Sequence, residues 1–250
     1  MKQLALLLCV VVYVGHGEAD DRQKYRDAVQ DFLGLLESDI APSEAGGSNK
    51  VNEANDFIDV VLLQRMPMLI RDTPGLYPTA PLPPFTFKVY KTAITNRDLK
   101  VNVTRGGIKN FDTAVRRVGD CDPKVVAGNT SVTCVISFDG IASDMVAVTK
   151  GDNLLGTIKD VGVQAVVYNT TGTMEVTAAR NRPGFVRTFF VEHVKLEVTP
   201  GDNLDLNAVR MSNFKSYIAN YLREELYLNL YGNYQTLLNY AVATMNFSML

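Results

Sequence analysis

Residues 207–247, NAVRMSNFKSYIANYLREELYLNLYGNYQTLLNYAVATMNF, decide the fold. Phe214, Ile218, Tyr221, Leu222, Leu226, Leu230, Tyr234, Leu237, Leu238 and Met245 follow one wide stripe at helical spacing, and Gly232 is the weak point of the interior. Tyr217, Tyr227, Leu228, Tyr231 and Tyr240 carry rings and apolar groups onto further faces. A helix apolar over so much of its circumference has to be embraced from several sides, by a curled sheet or by something it binds.

Upstream of this helix the hydrophobic period is two. Phe85, Phe87 and Val89 alternate with Thr86, Lys88 and Tyr90, and Leu99, Val101 and Val103 alternate with Lys100, Asn102 and Thr104. Val132, Cys134, Ile136 and Phe138 repeat the pattern, as do Val161, Val163, Ala165 and Val167, then Met174 and Val176 after a turn at Asn169 to Gly172. A last strand sets Phe190, Val194, Leu196 and Val198 against Arg187, His193, Lys195 and Glu197. The tetrapeptide Gly-Asp-Asn-Leu at 151–154 and 201–204 reads as a reused turn.

Before the strands the period is helical. Tyr25, Val29, Phe32, Leu33 and Leu36 predict one amphipathic helix; Ala54, Phe57, Ile58, Val61, Leu62 and Leu69 predict a second, which Pro67 should kink or end. Ala41 to Asn49 reads as the loop between them. Thr73 to Pro84 holds Pro74, Pro78, Pro81, Pro83 and Pro84, so it is an extended connector. The expected architecture is α+β: two amphipathic helices within about 20–72, the connector 73–84, a strongly curved antiparallel sheet over 85–205, and the long helix 207–247 around which the sheet wraps. Residues 18–250 then form a single domain.

The amino terminus reads as a secretory signal, residues 1–17, with cleavage after Gly17 or after Ala19. Met1-Lys2-Gln3 is a short positive start, Leu4 to Val14 is an apolar run too short to span a bilayer, and Gly15-His16-Gly17 offers small residues. The expectation is a secreted, extracellular protein without stable membrane insertion. Lys+Arg 25 against Asp+Glu 27 gives no basic footprint for nucleic acid. Cys9 and His16 leave with the signal, so the mature chain keeps Cys121, Cys134 and His193. In an oxidising compartment the pair is most simply a disulfide across a hairpin; two buried free thiols are the competing reading. Asn102, Asn129, Asn169 and Asn246 head glycosylation sequons, with Asn169 in the most turn-like setting.

Catalytic chemistry is poorly supplied. His193 alternates with charged strand residues, and there is no Gly-x-Ser-x-Gly elbow, HExxH helix, phosphate loop or dinucleotide fingerprint. Asp20-Asp21 and Glu224-Glu225 diverge on a helix and read as solvated charges. Two cysteines are too few for a zinc site, and no metal or cofactor is expected. What the chain has in excess is apolar lining. A curled sheet and an apolar helix can enclose a slot for a fatty chain, each buried CH2 contributing about 0.8 kcal/mol. Plain core is the competing reading of every such residue.

The run Ile94-Thr-Asn-Arg-Asp-Leu-Lys-Val101, then Val103-Thr-Arg-Gly-Gly-Ile-Lys-Asn-Phe111, then Val115-Arg-Arg-Val-Gly-Asp120, resembles the first strands of the mite group 7 allergens. Those belong with the juvenile-hormone-binding and takeout-like proteins of arthropods and share the fold of the bactericidal/permeability-increasing proteins. The element order is similar from Tyr25 to Met245, the residue-level likeness lies within about 94–120, and the position of the cysteine pair and the proline-rich connector depart from the allergen pattern. The resemblance implies non-enzymatic binding of a lipid or other hydrophobic small molecule. Apolar positions on the facing stripes are the expected lining: Phe57, Val61, Leu69, Phe87, Val101, Ile136, Phe138, Val163, Phe190, Ile218, Tyr221, Leu222 and Leu226. The alternative is an extracellular recognition protein whose surface loops bind microbial lipids or a protein partner.

Overall fold

The computed structural model describes residues 44–92, 97–126, 128–151, 156–179 and 182–245. The chain divides into two compact units, Met1–Ser48 and Asn49–Leu250, and the strands and the long C-terminal helix belong to the second. The expected signal segment, the helix expected at Tyr25–Leu36, and Asn246 lie outside the described residues.

The fold is α+β, with antiparallel sheets, an N-terminal helix and a long C-terminal one. Helix α1, Glu44–Val60, runs through a π-helical turn, Val61–Arg65, into α2, Met66–Arg71. The expected loop at 41–49 is corrected: helix begins at Glu44. Pro67 does not end it: the helix continues from Glu44 to Arg71, and the residue stands directly after the π-helical turn, where the hydrogen-bond pattern already departs from the regular α repeat. The strands are β1 (Ala80–Pro81), β2 (Phe85–Val89), β3 (Leu99–Lys109), β4 (Arg116–Val126), β5 (Asn129–Ser137), β6 (Ala142–Lys150), β7 (Ile158–Val167), β8 (Thr171–Ala179), β9 (Phe185–Val191) and β10 (Leu196–Pro200). Helix α3, Ala208–Asn229, continues through a π turn, Leu230–Tyr234, into α4, Gln235–Ala243, and the axis kinks at Gly232. Asn207 caps α3, its side chain accepting from the Arg210 N–H.

The strands form two sheets, β1-β3-β6-β7-β10 with β2 also on β3, and β4-β5-β8-β9. The register shows how the two are related. Ser137 opposite Thr171 is followed, without a slip, by Ala142 opposite Val166, and Gly172 opposite Val191 is followed by Val167 opposite Leu196. The segments 129–150, 158–179 and 185–200 are therefore long strands of one meander, each bent where it leaves one sheet for the other. This is how the expected strong curvature is achieved.

Backbone groups that lose ladder partners at the bend are met by side chains. Asp139 accepts from the Thr170 N–H at 2.8 Å, the Thr170 hydroxyl accepts from the Lys195 N–H at 3.0 Å, and Asn110 donates to the Gly140 carbonyl at 3.0 Å. Gly140 has φ +98°, a left-handed conformation that favours glycine.

Burial changes phase across the bend. In β5 the even positions Val132, Cys134 and Ile136 are buried, whereas in β6 it is Ser143, Met145 and Ala147. The same reversal separates Phe189 and Val191 in β9 from Val194 and Val198 beyond the bend. Phe190 is consequently corrected: it points outward and is 55% exposed.

Helix α3 touches both β2 and β10, the outer strands of the first sheet, while α4 packs on β9 and α2. The helical elements thus bridge the open edges, and the core fills the space inside. Arg210, Phe214, Ile218, Leu222 and Leu226 form the buried stripe of α3. Burial from several sides does not hold for the remaining rings: Tyr217, Tyr231 and Tyr240 are exposed.

Candidate functional site

The N-terminal helix meets β4 through a polar cluster. Arg117 donates to both carboxylate oxygens of Asp59, at 3.1 and 2.7 Å, and Asp59 holds the guanidinium above its ordinary range. Asn55 donates to Asp120 and accepts from the Cys121 N–H. Cys121 of β4 and Cys134 of β5 form a disulfide between neighbouring strands. The cluster and the disulfide therefore fix one end of the second sheet to the helix that carries Phe57 and Val61.

Most of the expected lining residues come together, in one apolar core. Phe57, Val61, Val101, Ile136, Phe138, Val163, Ile218, Leu222 and Leu226 are buried in it, and Leu69, Phe87 and Tyr221 are half-buried against it. Phe190 is apart from them, on the outer face. Of the sequons, Asn102, Asn129 and Asn169 are exposed. His193 is exposed within the bend 192–195. Among the described residues no group of three His, Cys, Asp or Glu side chains is placed to hold a metal, and no helix is long and apolar enough to cross a membrane.

A concave site opens between β10 and α3. It is a groove of about 760 Å³, within the size range of small-molecule sites. Leu196, Glu197 and Val198 form its strand wall with Tyr168 beside them; Ala208, Met211, Ser212, Lys215, Ser216 and Ala219 form its helix wall. The groove exists because the helix face turned to β10 carries small residues. Ala208, Ser212, Ser216 and Ala219 recur at spacings of four, four and three, so although α3 packs on β10, the space that larger side chains would fill above the contact stays open.

Backbone geometry gives the strand wall its polarity. Tyr168 N–H donates to the Lys195 carbonyl at 3.1 Å and Gly201 N–H to the Gly162 carbonyl at 2.8 Å. Alternation along an antiparallel pair then directs the N–H and C=O groups of Leu196 and Val198 away from β7, toward the groove. Leu196, Val198, Met211 and Ala219 supply apolar surface; Ser212, Ser216, Lys215 and Glu197 supply hydroxyls and one charge of each sign. Such a site suits an elongated amphipathic molecule.

The apolar stripes of the sequence point elsewhere, to the largest side chains, and these form the core. The signal that marks the groove is the small-residue spacing on α3 opposite an edge strand.

No family model matches the chain. It is 42% identical over 199 residues to the salivary anticoagulant protein P23 of Ixodes scapularis, an alignment covering 79% of this chain and 90% of that protein. Among solved structures, lipopolysaccharide binding protein matches 74% of this chain with 15% identity and a TM-score of 0.43, and the chain spans 40% of that protein. The sequence identity over nearly the whole length of the tick protein places the chain: it belongs to the family of the Ixodes scapularis salivary anticoagulant protein P23.

Proposed function

We propose that this protein is a secreted, non-enzymatic binding protein that holds a lipid or other amphipathic small molecule in the groove between β10 and α3. The observation that carries the reading is the groove itself, whose volume and mixed lining, apolar at Leu196, Val198, Met211 and Ala219 and polar at Ser212, Lys215, Ser216 and Glu197, fit such a ligand. The resemblance of residues 94–120 to the mite group 7 allergens, which belong with the hormone carriers, supports the same class of ligand. The salivary origin in the relative's name supports an extracellular site of action.

A second reading is favoured by that same name. An anticoagulant can act by binding a protein of the clotting system, and this chain would then work through its loops with the groove empty.

Native and denatured masses of the mature chain, secreted from a eukaryotic host and freed of glycans, separate the two. The first reading expects a non-covalent added mass that organic solvent extracts as lipid, or saturable uptake of a fluorescent fatty-acid probe. A clean apo mass with no probe uptake, combined with prolonged plasma clotting, would replace it with the second.

A further inference from the structure

A second concave surface lies on the outer face of the first sheet, away from the β10–α3 groove. Lys88 of β2 stands directly opposite Lys100 of β3, and Lys100 directly opposite Lys150 of β6. Three lysines thus occupy one row across three neighbouring strands, successive strands being about 4.8 Å apart. Like charges placed opposite each other on a sheet destabilise it. None of the three has a carboxylate at ion-pair distance among the described residues, whereas Lys109, at the far end of β3, is paired with Asp144. The chain as a whole is slightly acidic, net −2, so the row is a local departure from its overall charge.

The row lies in a trough of about 500 Å³, whose other walls include Thr86, Asn102, Val148 and Ile158. Ile158, opposite Lys150, is 66% exposed and gives the trough an apolar flank. We infer that this trough is a docking site for a sulfated polysaccharide chain. Three ammonium groups in line meet successive anionic groups of one polymer strand. Thr86 and Asn102 donate hydrogen bonds to sugar or sulfate oxygens, and Ile158 and Val148 pack against the apolar face of a sugar ring. A concave cationic trough fits a linear polyanion better than the plane of a bilayer, which would rest on the rim.

Asn102 heads a sequon and stands inside this trough, so a glycan on it and a docked polysaccharide exclude each other. The test therefore uses Thr104→Ala as parent, which abolishes the sequon and keeps Asn102. Its binding to a fluorescent heparin-derived decasaccharide is measured at two salt concentrations. The parent is expected to bind, more weakly at the higher salt. K88Q/K100Q/K150Q on that parent should lose at least about tenfold in affinity and show a shallower salt dependence, as expected when contacts with a polyanion are removed. The matching Lys→Arg triple variant should retain binding, and K50Q/K124Q/K195Q, an equal loss of charge at exposed sites elsewhere, should bind as the parent does. No binding by the parent, equal loss in the second Gln variant, or binding to phosphatidylserine vesicles with none to the decasaccharide would overturn the proposal. Thermal unfolding of each variant separates loss of the site from loss of the fold.

Discussion

Tyr234 sits wholly inside the core, between the rings of Phe111 and Phe189, and its hydroxyl has no hydrogen-bond partner among the described residues. Burial alone pushes its phenol well above the ordinary range. An unpaired buried hydroxyl costs free energy that a phenyl ring does not, so Tyr234→Phe should raise stability by about 1 kcal/mol in urea unfolding. A loss of the same size would show that the hydroxyl is bound, through water, to a group inside the core. Glu175 presents the opposite case. Its carboxylate accepts from the Ser131 hydroxyl at 2.7 Å, the Thr188 hydroxyl at 3.1 Å and Arg187 at 3.2 Å. These contacts, Ser131 first, hold it below the usual carboxylate range. A depressed folded pKa contributes stability that is present above the unfolded value, about 4.3, and lost as pH falls through the folded one. Glu175→Gln should flatten that acid limb and leave the rest of the stability profile parallel to wild type; an unchanged limb would mean that other carboxylates set it.

At the scale of elements, the strand 185–200 depends on the helix beside it. Where β9 passes into β10 it is an outer strand, and Tyr231 accepts from the Val191 N–H at 2.9 Å while Tyr227 accepts from the Val194 N–H at 3.3 Å and donates to the Glu192 carbonyl at 3.0 Å. Arg223 donates to the Val194 carbonyl at 3.0 Å. These side chains replace the missing neighbour strand and cover an edge that would otherwise be open to pairing. Replacing Tyr227 and Tyr231 together by Phe should cost about 1 kcal/mol per lost bond and speed amide exchange at Val191 and Val194, with Val176 in the middle of the sheet unaffected. Periodicity counts these tyrosines as apolar faces because it weighs the ring and not the hydroxyl. The same limit explains Phe190. Alternation extended backwards from Val198 and Val194 runs through a bend where burial changes phase, and a pattern of period two carries no mark of such a reversal. The strand pattern inside each half of the meander is legible because its apolar face is buried. The bend is not, since it is made by side-chain capping from Asp139, Thr170 and Asn110, residues that read as ordinary turn formers.

At the scale of the whole second unit, a meander bent into two sheets leaves open edges, and the helices close them. Closure is tight where large side chains meet, as at Phe85 and Tyr221, whose ring centroids lie 3.6 Å apart. It is incomplete along β10, where α3 presents alanines and serines. The distinction between core and site therefore lies in side-chain size along one helix: Ile218, Leu222 and Leu226 fill, while Ser212, Ser216 and Ala219 leave space. Substitution at each kind of position should separate them. Ile136→Phe, in a fully buried site, should lower stability by roughly 1–3 kcal/mol through overpacking. Ala219→Trp places its ring in the groove and should abolish uptake of a fluorescent fatty-acid probe while the unfolding midpoint stays near that of wild type. Retained uptake in Ala219→Trp, together with loss in Ile136→Phe beyond what its stability explains, would move the ligand from the groove to the interior of the bent sheet.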